Sequence, residues 1–116
     1  MDMLAELEAL GVDTEDALKR FSGNGALYKK MLGKFPASAE GLEVLAFIKD
    51  GDLATAVSNA HTLKGVTGNL SITPLYTAYT EIVNSLRAND AEGAEQTLER
   101  ILPVQEKIIK CIKEGC

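Results

Sequence analysis

Cysteine is nearly absent from this 116-residue chain: there are two, Cys111 and Cys116, both at the C-terminal extreme. They could close only a trivial loop, so a disulfide framework is excluded and both are expected to be reduced. Histidine is scarcer still, with His61 alone and far along the sequence from either thiol. A zinc site usually takes four Cys or His ligands, which these residues cannot supply, and no metal is expected. Long apolar runs are missing, since none approaches the roughly 20 residues of a membrane span. A basic segment leading into an apolar one, the signature of export, is missing too, so a cytoplasmic location is expected. Excess positive charge is also lacking. At a net charge of −5 the chain repels a phosphate backbone before any specific contact forms, so neither nucleic acid nor membrane is an expected partner.

What is present is the composition of one ordinary globular domain, 46% hydrophobic and 25% charged. The length is enough to bury a core unaided. No repeat, low-complexity tract, charge block or linker divides residues 1–116, which we treat as a single domain. Apolar residues recur at three- and four-residue spacing almost throughout, and alternating Val/Ile/Thr runs do not occur. The expected fold class is therefore all-α.

Turn formers joined to helix N-caps punctuate the chain at Gly11-Val12-Asp13, Ser22-Gly23-Asn24-Gly25, Asp50-Gly51-Asp52, Ser71-Ile72-Thr73-Pro74 and Asn89-Asp90. They delimit six helical segments. Two short ones cover about residues 2–10, with Met3, Leu4, Leu7 and Leu10 on the apolar side, and about 14–20, capped by Asp13. Residues 24–49 contain Pro36, which breaks or bends a helix. Because Tyr28, Met31, Phe35, Leu42 and Leu45 keep one helical phase across it, a single bent helix is the favoured reading. Further helices are expected over 52–70 and 74–88, the latter with Thr73 as N-cap and Pro74 in the first turn. The last starts near Asp90, buries Ala94, Leu98, Ile101, Ile108 and Ile112, and is expected to bend at Pro103. Four long amphipathic helices with short connections predict an antiparallel up-down four-helix bundle, with the two short N-terminal helices capping one end.

The segment that carries chemistry lies inside the 52–70 helix. Leu53, Ala56, Ala60, Leu63, Thr67 and Leu70 share one face and should meet the core. At about 100° per residue, His61 then points about 130° away from that stripe, towards solvent. A lone helical histidine is more often incidental than reactive, so its company decides. Val57, Lys64, Gly65 and Gly68 fall on the face around it, placing one cation and two bare backbone positions beside the ring. An imidazole in water titrates near ~6.5, so its neutral form is available near pH 7 to attack phosphorus without a buried base. Lys64 can then offset the charge of the phosphoryl group gained. Each glycine costs about 0.5–1 kcal/mol in a helix interior, which a partner's close approach to the imidazole would explain. Both glycines have a second reading, close helix packing, and Gly68 has a third, the start of the helix end.

These residues resemble the motif of the histidine-containing phosphotransfer (HPt) family, in which the reactive histidine stands in a His-x-Leu-Lys-Gly context. Here the positions are His61, Leu63, Lys64 and Gly65, followed by Gly68 and Asn69. Asp13, Ala17-Leu18, Arg20-Phe21, Gly23-Asn24, Leu27-Tyr28 and Phe35 look like the family's usual lead-in, so the resemblance spans residues 12–86. Ser71 departs from it, since many members carry glycine there, and Glu81-Ile82 stands where many have Leu-Glu.

The resemblance implies a phosphorelay intermediate of two-component signalling, a phosphoprotein and carrier with no ATP site of its own. Nε2 of His61 would accept phosphoryl from a receiver-domain aspartyl phosphate and pass it to another receiver aspartate. Lys64 would stabilise the phosphate charge, while Val57, Gly65 and Gly68 would form the partner-docking surface. The implied partners are response-regulator receiver domains, which would bring their own Mg²⁺, so the carrier itself needs no cofactor. A free-standing monomeric carrier and a module of a hybrid sensor kinase or chemotaxis kinase both fit. Asn69 is read as structural, satisfying backbone groups near the helix end. An autonomous histidine kinase is disfavoured, since one bundle uses the whole chain and Gly23-Asn24-Gly25 lacks the Lys-Ser/Thr of a phosphate-cradling loop. The alternative from another class is a non-catalytic helical adaptor, in which His61 would be dispensable.

Overall fold

A computed structural model describes residues 2–115, and those residues are helical wherever they are regular. Eight helices follow one another: α1 Met3–Ala9, α2 Thr14–Arg20, α3 Gly25–Leu32, α4 Phe35–Gly41, α5 Leu45–Lys49, α6 Leu53–Asn69, α7 Thr73–Arg87 and α8 Ala91–Gly115. At 1.5 Å per residue α8 runs about 37 Å, close to the full 41 Å long axis of the molecule.

The turn chemistry explains most boundaries. Asp13, Asn24, Asp52 and Asp90 each accept a backbone N–H three residues on through a side-chain oxygen, satisfying donors that a helix start leaves unpaired. At the other ends, α1, α2, α5, α6 and α7 close with paired backbone bonds around a residue in the left-handed region. Those residues are Gly11, Ser22, Gly51, Ser71 and Asn89, with φ of 98°, 54°, 79°, 54° and 61°. In α6, for instance, the N–H groups of Ser71 and Ile72 donate to Gly68 and Thr67, at 3.2 and 2.9 Å. The start of α7 differs from expectation. Ile72 occupies the N-cap without a side-chain bond, and Thr73 is already helical, its hydroxyl donating to the Ser71 carbonyl at 3.3 Å.

The long helices α6, α7 and α8 pack as consecutive neighbours, α7 lying against both of the others. Ala56, Ala60, Leu63, Thr67 and Leu70 are buried as the spacing predicts, and Leu53 is half-buried. All five residues assigned to the core face of α8 are buried, and Gln105 and Cys111 join them. The helix continues unbroken through Pro103, which is exposed, so water can reach the carbonyl left without a partner one turn earlier. At one end α1 packs on α8, where Met3 and Leu7 are buried and Cys111 lies under Met3 and Glu6. Burial, with Glu6 adding to it, pushes the Cys111 thiol up, which keeps it protonated and a poor nucleophile. Cys116 lies outside the described residues.

The expectation of one bent helix across residues 24–49 is overturned. Three short helices stand there, separated at Gly33-Lys34 and at Leu42–Val44. Pro36 sits in the first turn of α4, where its missing N–H costs nothing, so it starts a helix instead of kinking one. The breaks change the phase of the apolar stripe. Tyr28 and Phe35 are buried, but Met31, Leu42 and Leu45 are only half-buried, while Leu32, Ala39, Val44 and Ile48 fill the core in their place. The second gap leaves the Glu43 carbonyl outside any helix, and the Asn59 carboxamide of α6 donates to it at 2.7 Å.

Two buried phenols tie the elements together. The Tyr28 hydroxyl of α3 donates to the Leu70 carbonyl at 2.8 Å, and the Tyr79 hydroxyl of α7 donates to Gln105 of α8. Burial pushes both phenols up to about 12, against an ordinary value of 10.0. The folded chain therefore holds these protons more tightly than the unfolded one. Their contribution to stability is complete below pH 10 and is lost as the pH rises from 10 to 12. Far-UV circular dichroism against pH should show helix loss across that window, later and shallower in Tyr79→Phe; a signal as steep in that variant would contradict the assignment.

Candidate functional site

The site is built where the end of α6 turns into α7 and meets α2. A 17-residue helix capped at Asp52 fixes the direction of His61, because Ala60 and Leu63 on either side of it are buried. The imidazole is exposed, as the spacing predicts. It opens onto a shallow hollow of about 410 Å³, which His61 shares with Lys64, Gly65, Gly68 and Asn69 of α6, Asp16 and Arg20 of α2, and Ser71, Thr73 and Tyr76. Lys64 is half-buried, and among the described residues no carboxylate pairs with it.

The two glycines serve different purposes. A side-chain carbon at Gly65 would meet nothing within 4 Å, so that position leaves open backbone one turn after the imidazole. At Gly68 it would lie 3.0 and 3.1 Å from Cδ1 and Cε1 of Tyr76, so the missing side chain lets the tyrosine ring settle on the helix. Close packing is thus the geometric reason for Gly68, although it also lines the hollow. Gly65→Ala should stabilise the fold by about 0.5–1 kcal/mol, whereas Gly68→Ala should gain less or lose stability by displacing Tyr76. Thermal melts of the two variants check this; equal gains would show that the ring moves aside without cost.

Val57, one turn before His61, is half-buried against the core and does not line the hollow. Asn69 lines the hollow and is exposed, and among the described residues its carboxamide forms no hydrogen bond, so the expected role in satisfying backbone groups is not seen. Sequence reasoning missed Asp16, Arg20, Ser71 and Tyr76 as site residues. Arg20 donates through Nε to Asp16 Oδ2 at 2.9 Å, and the Ser71 hydroxyl donates to the same oxygen at 2.8 Å. The Arg20 guanidinium first, then the Ser71 hydroxyl, holds the Asp16 carboxyl below the usual carboxylate range, which keeps it ionised at neutral pH. The Asp13 N–H donates to the Ser71 carbonyl at 2.9 Å, so the helix turn holds α2 by backbone as well as side chain. The only readable signal was the Asp16/Arg20 spacing of four, a common surface pairing.

Ser71 stands at φ 54°, a left-handed conformation that costs a non-glycine residue about 1–2 kcal/mol. Glycine would relieve that strain but would lose the hydroxyl that donates to Asp16. Chemically, the hollow presents one exposed nucleophilic imidazole, two cations and one carboxylate that already has two partners. The local balance is positive in a protein of net charge −5, which suits a dianionic group. Among the described residues no three His, Cys, Asp or Glu side chains gather as metal ligands, and no helix is long and apolar enough to cross a membrane. Neither protein-family models, curated proteins nor solved structures give a match to this chain.

Proposed function

We propose that this chain is a phosphoryl carrier of the histidine-containing phosphotransfer type. The observation that carries the reading is the exposed His61 imidazole on a rigid helix, flanked by unpaired Lys64 and by open backbone at Gly65. An incoming receiver domain would present an aspartyl phosphate with its own Mg²⁺. The lone pair of the neutral imidazole, by resemblance that of Nε2, attacks phosphorus as the N–P bond forms. The P–O bond to the aspartyl carboxylate breaks, and its electron pair leaves with the carboxylate. Return transfer reverses the sequence: an aspartate oxygen of a second receiver attacks phosphorus, and the N–P electron pair goes back to nitrogen. Lys64 and the positive balance of the hollow offset the phosphoryl charge between the two steps. Open backbone at Gly65 lets the partner approach closely enough for in-line transfer.

In this reading α3–α5 together form the fourth wall of an up-down bundle completed by α6, α7 and α8, with α1 and α2 closing one end. The carrier acts in the cytoplasm as a monomer and meets receivers one at a time. A second reading, a helical adaptor, draws support from two exposed large apolar residues, Leu27 and Tyr76. The two separate on one experiment: incubation with a panel of phosphorylated receiver domains. The carrier reading expects an acid-labile, alkali-stable label on the chain; well-folded protein that takes label from none of them would favour the adaptor.

A further inference from the structure

We propose that Arg20 is a second phosphoryl-holding residue, positioned by Asp16 and Ser71 so that its two terminal nitrogens clamp the oxygens of a phosphoryl group on His61. This inference rests on the carrier reading and adds to it a residue from a different helix.

Arginine has five N–H donors in a rigid plane, and Arg20 uses the one on Nε to bind Asp16. Among the described residues Nη1 and Nη2 have no protein partner, yet Arg20 lines the same hollow as His61. A guanidinium anchored at Nε and free at both ends of its fork matches the two-oxygen edge of a phosphoryl group.

The anchor is itself held. Asp16 Oδ2 receives the Ser71 hydroxyl as well as Arg20, which restrains the carboxylate from following a guanidinium that swings outwards. Ser71 in turn is the left-handed residue that closes α6, nearly three turns beyond His61, and its carbonyl accepts from Asp13 at the start of α2. A chain of contacts thus runs from the helix that bears the imidazole to the helix that bears the guanidinium. Lys64, on α6 itself, supplies a compact charge from the near side, and Arg20 supplies a directional pair from α2. Asp16 would repel a phosphoryl group if it were bare, and the two hydrogen bonds it accepts reduce that repulsion.

The test uses the full chain loaded on His61 with phosphoramidate, a small donor in which the imidazole displaces ammonia from phosphorus. The last protonation of the phosphoryl group is then followed by its ³¹P shift against pH. A clamped dianion binds its proton less tightly, so Arg20→Gln should raise that affinity about fivefold, or about 0.7 pH unit. Arg20→Lys should restore part of the effect, because the charge remains while the fork is lost. In wild type the ¹⁵N signals of the Arg20 terminal nitrogens should move on loading. A purely structural arginine would change neither the phosphoryl titration nor those signals.

An unchanged titration in Arg20→Gln, with unmoved guanidinium signals in wild type, overturns the inference even if receivers load His61 normally. Wild type that accepts phosphoryl from phosphoramidate but from no receiver, and still shows the Arg20 effect, overturns the relay and leaves the clamp standing. Failure to load from either donor counts against both.

Discussion

His61→Gln is expected to abolish phosphoryl loading from every receiver that labels the wild-type chain, while helix content stays the same and stability changes by less than about 0.5 kcal/mol. The side chain contributes nothing to the core, since the ring is exposed and the residues that seat α6 are Ala60 and Leu63. Glutamine keeps a polar group of similar reach and a good helix propensity, but its carboxamide nitrogen has no nucleophilic lone pair. Loss is therefore chemical, and complete. Acid-labile label measured beside a far-UV spectrum checks both halves of this expectation. Label retained by the variant would place the phosphoryl group elsewhere and end the assignment of His61.

Leu63→Ala should do the reverse. Leu63 is two residues from His61 yet only 1% exposed, and truncating a fully buried leucine costs about 2–5 kcal/mol through lost transfer energy and the cavity left behind. Against a typical domain stability of about 5–15 kcal/mol, that is a large fraction. Molecules that remain folded keep the imidazole and Gly65 on the opposite side of the helix and Lys64 on its flank, so loading per folded molecule should survive. Urea denaturation measures the first quantity, and labelling at low temperature, normalised to folded protein, measures the second. A loss of less than about 1 kcal/mol would mean that the core face of α6 is wrongly assigned.

Those two residues also show what could be read directly from residue order. A strict three-four spacing on a 17-residue helix leaves one rotational setting that buries its apolar stripe, and the direction of His61 follows by arithmetic. Asp13, Asn24, Asp52 and Asp90 were legible as caps for a similar reason, because each satisfies donors only a few residues away. The run from Asn24 to Lys49 was not legible. Its helices are five to eight residues long, so tertiary contacts decide the phase of each, and a stripe that holds across Pro36 in sequence need not hold in space. The same limit hid half of the site. Arg20 and Asp16 reach the hollow only because Ser71 and Asp13 bring α2 to the end of α6, and a contact across 55 residues has no local signature. The glycines fell between the two cases: propensity marked both as costly, but only the position of Tyr76 shows that one yields to a neighbour and the other to open space.

The interruptions between α3, α4 and α5 have a consequence for how the molecule breathes. Segments this short have no helical stability of their own and hold their shape only while docked. Transient openings should therefore start along that wall, and its amide protons should exchange with solvent sooner than those of α6, α7 and α8. The rod that bears the imidazole would stay intact through such events, so the platform a partner meets is insulated from the loosest part of the protein.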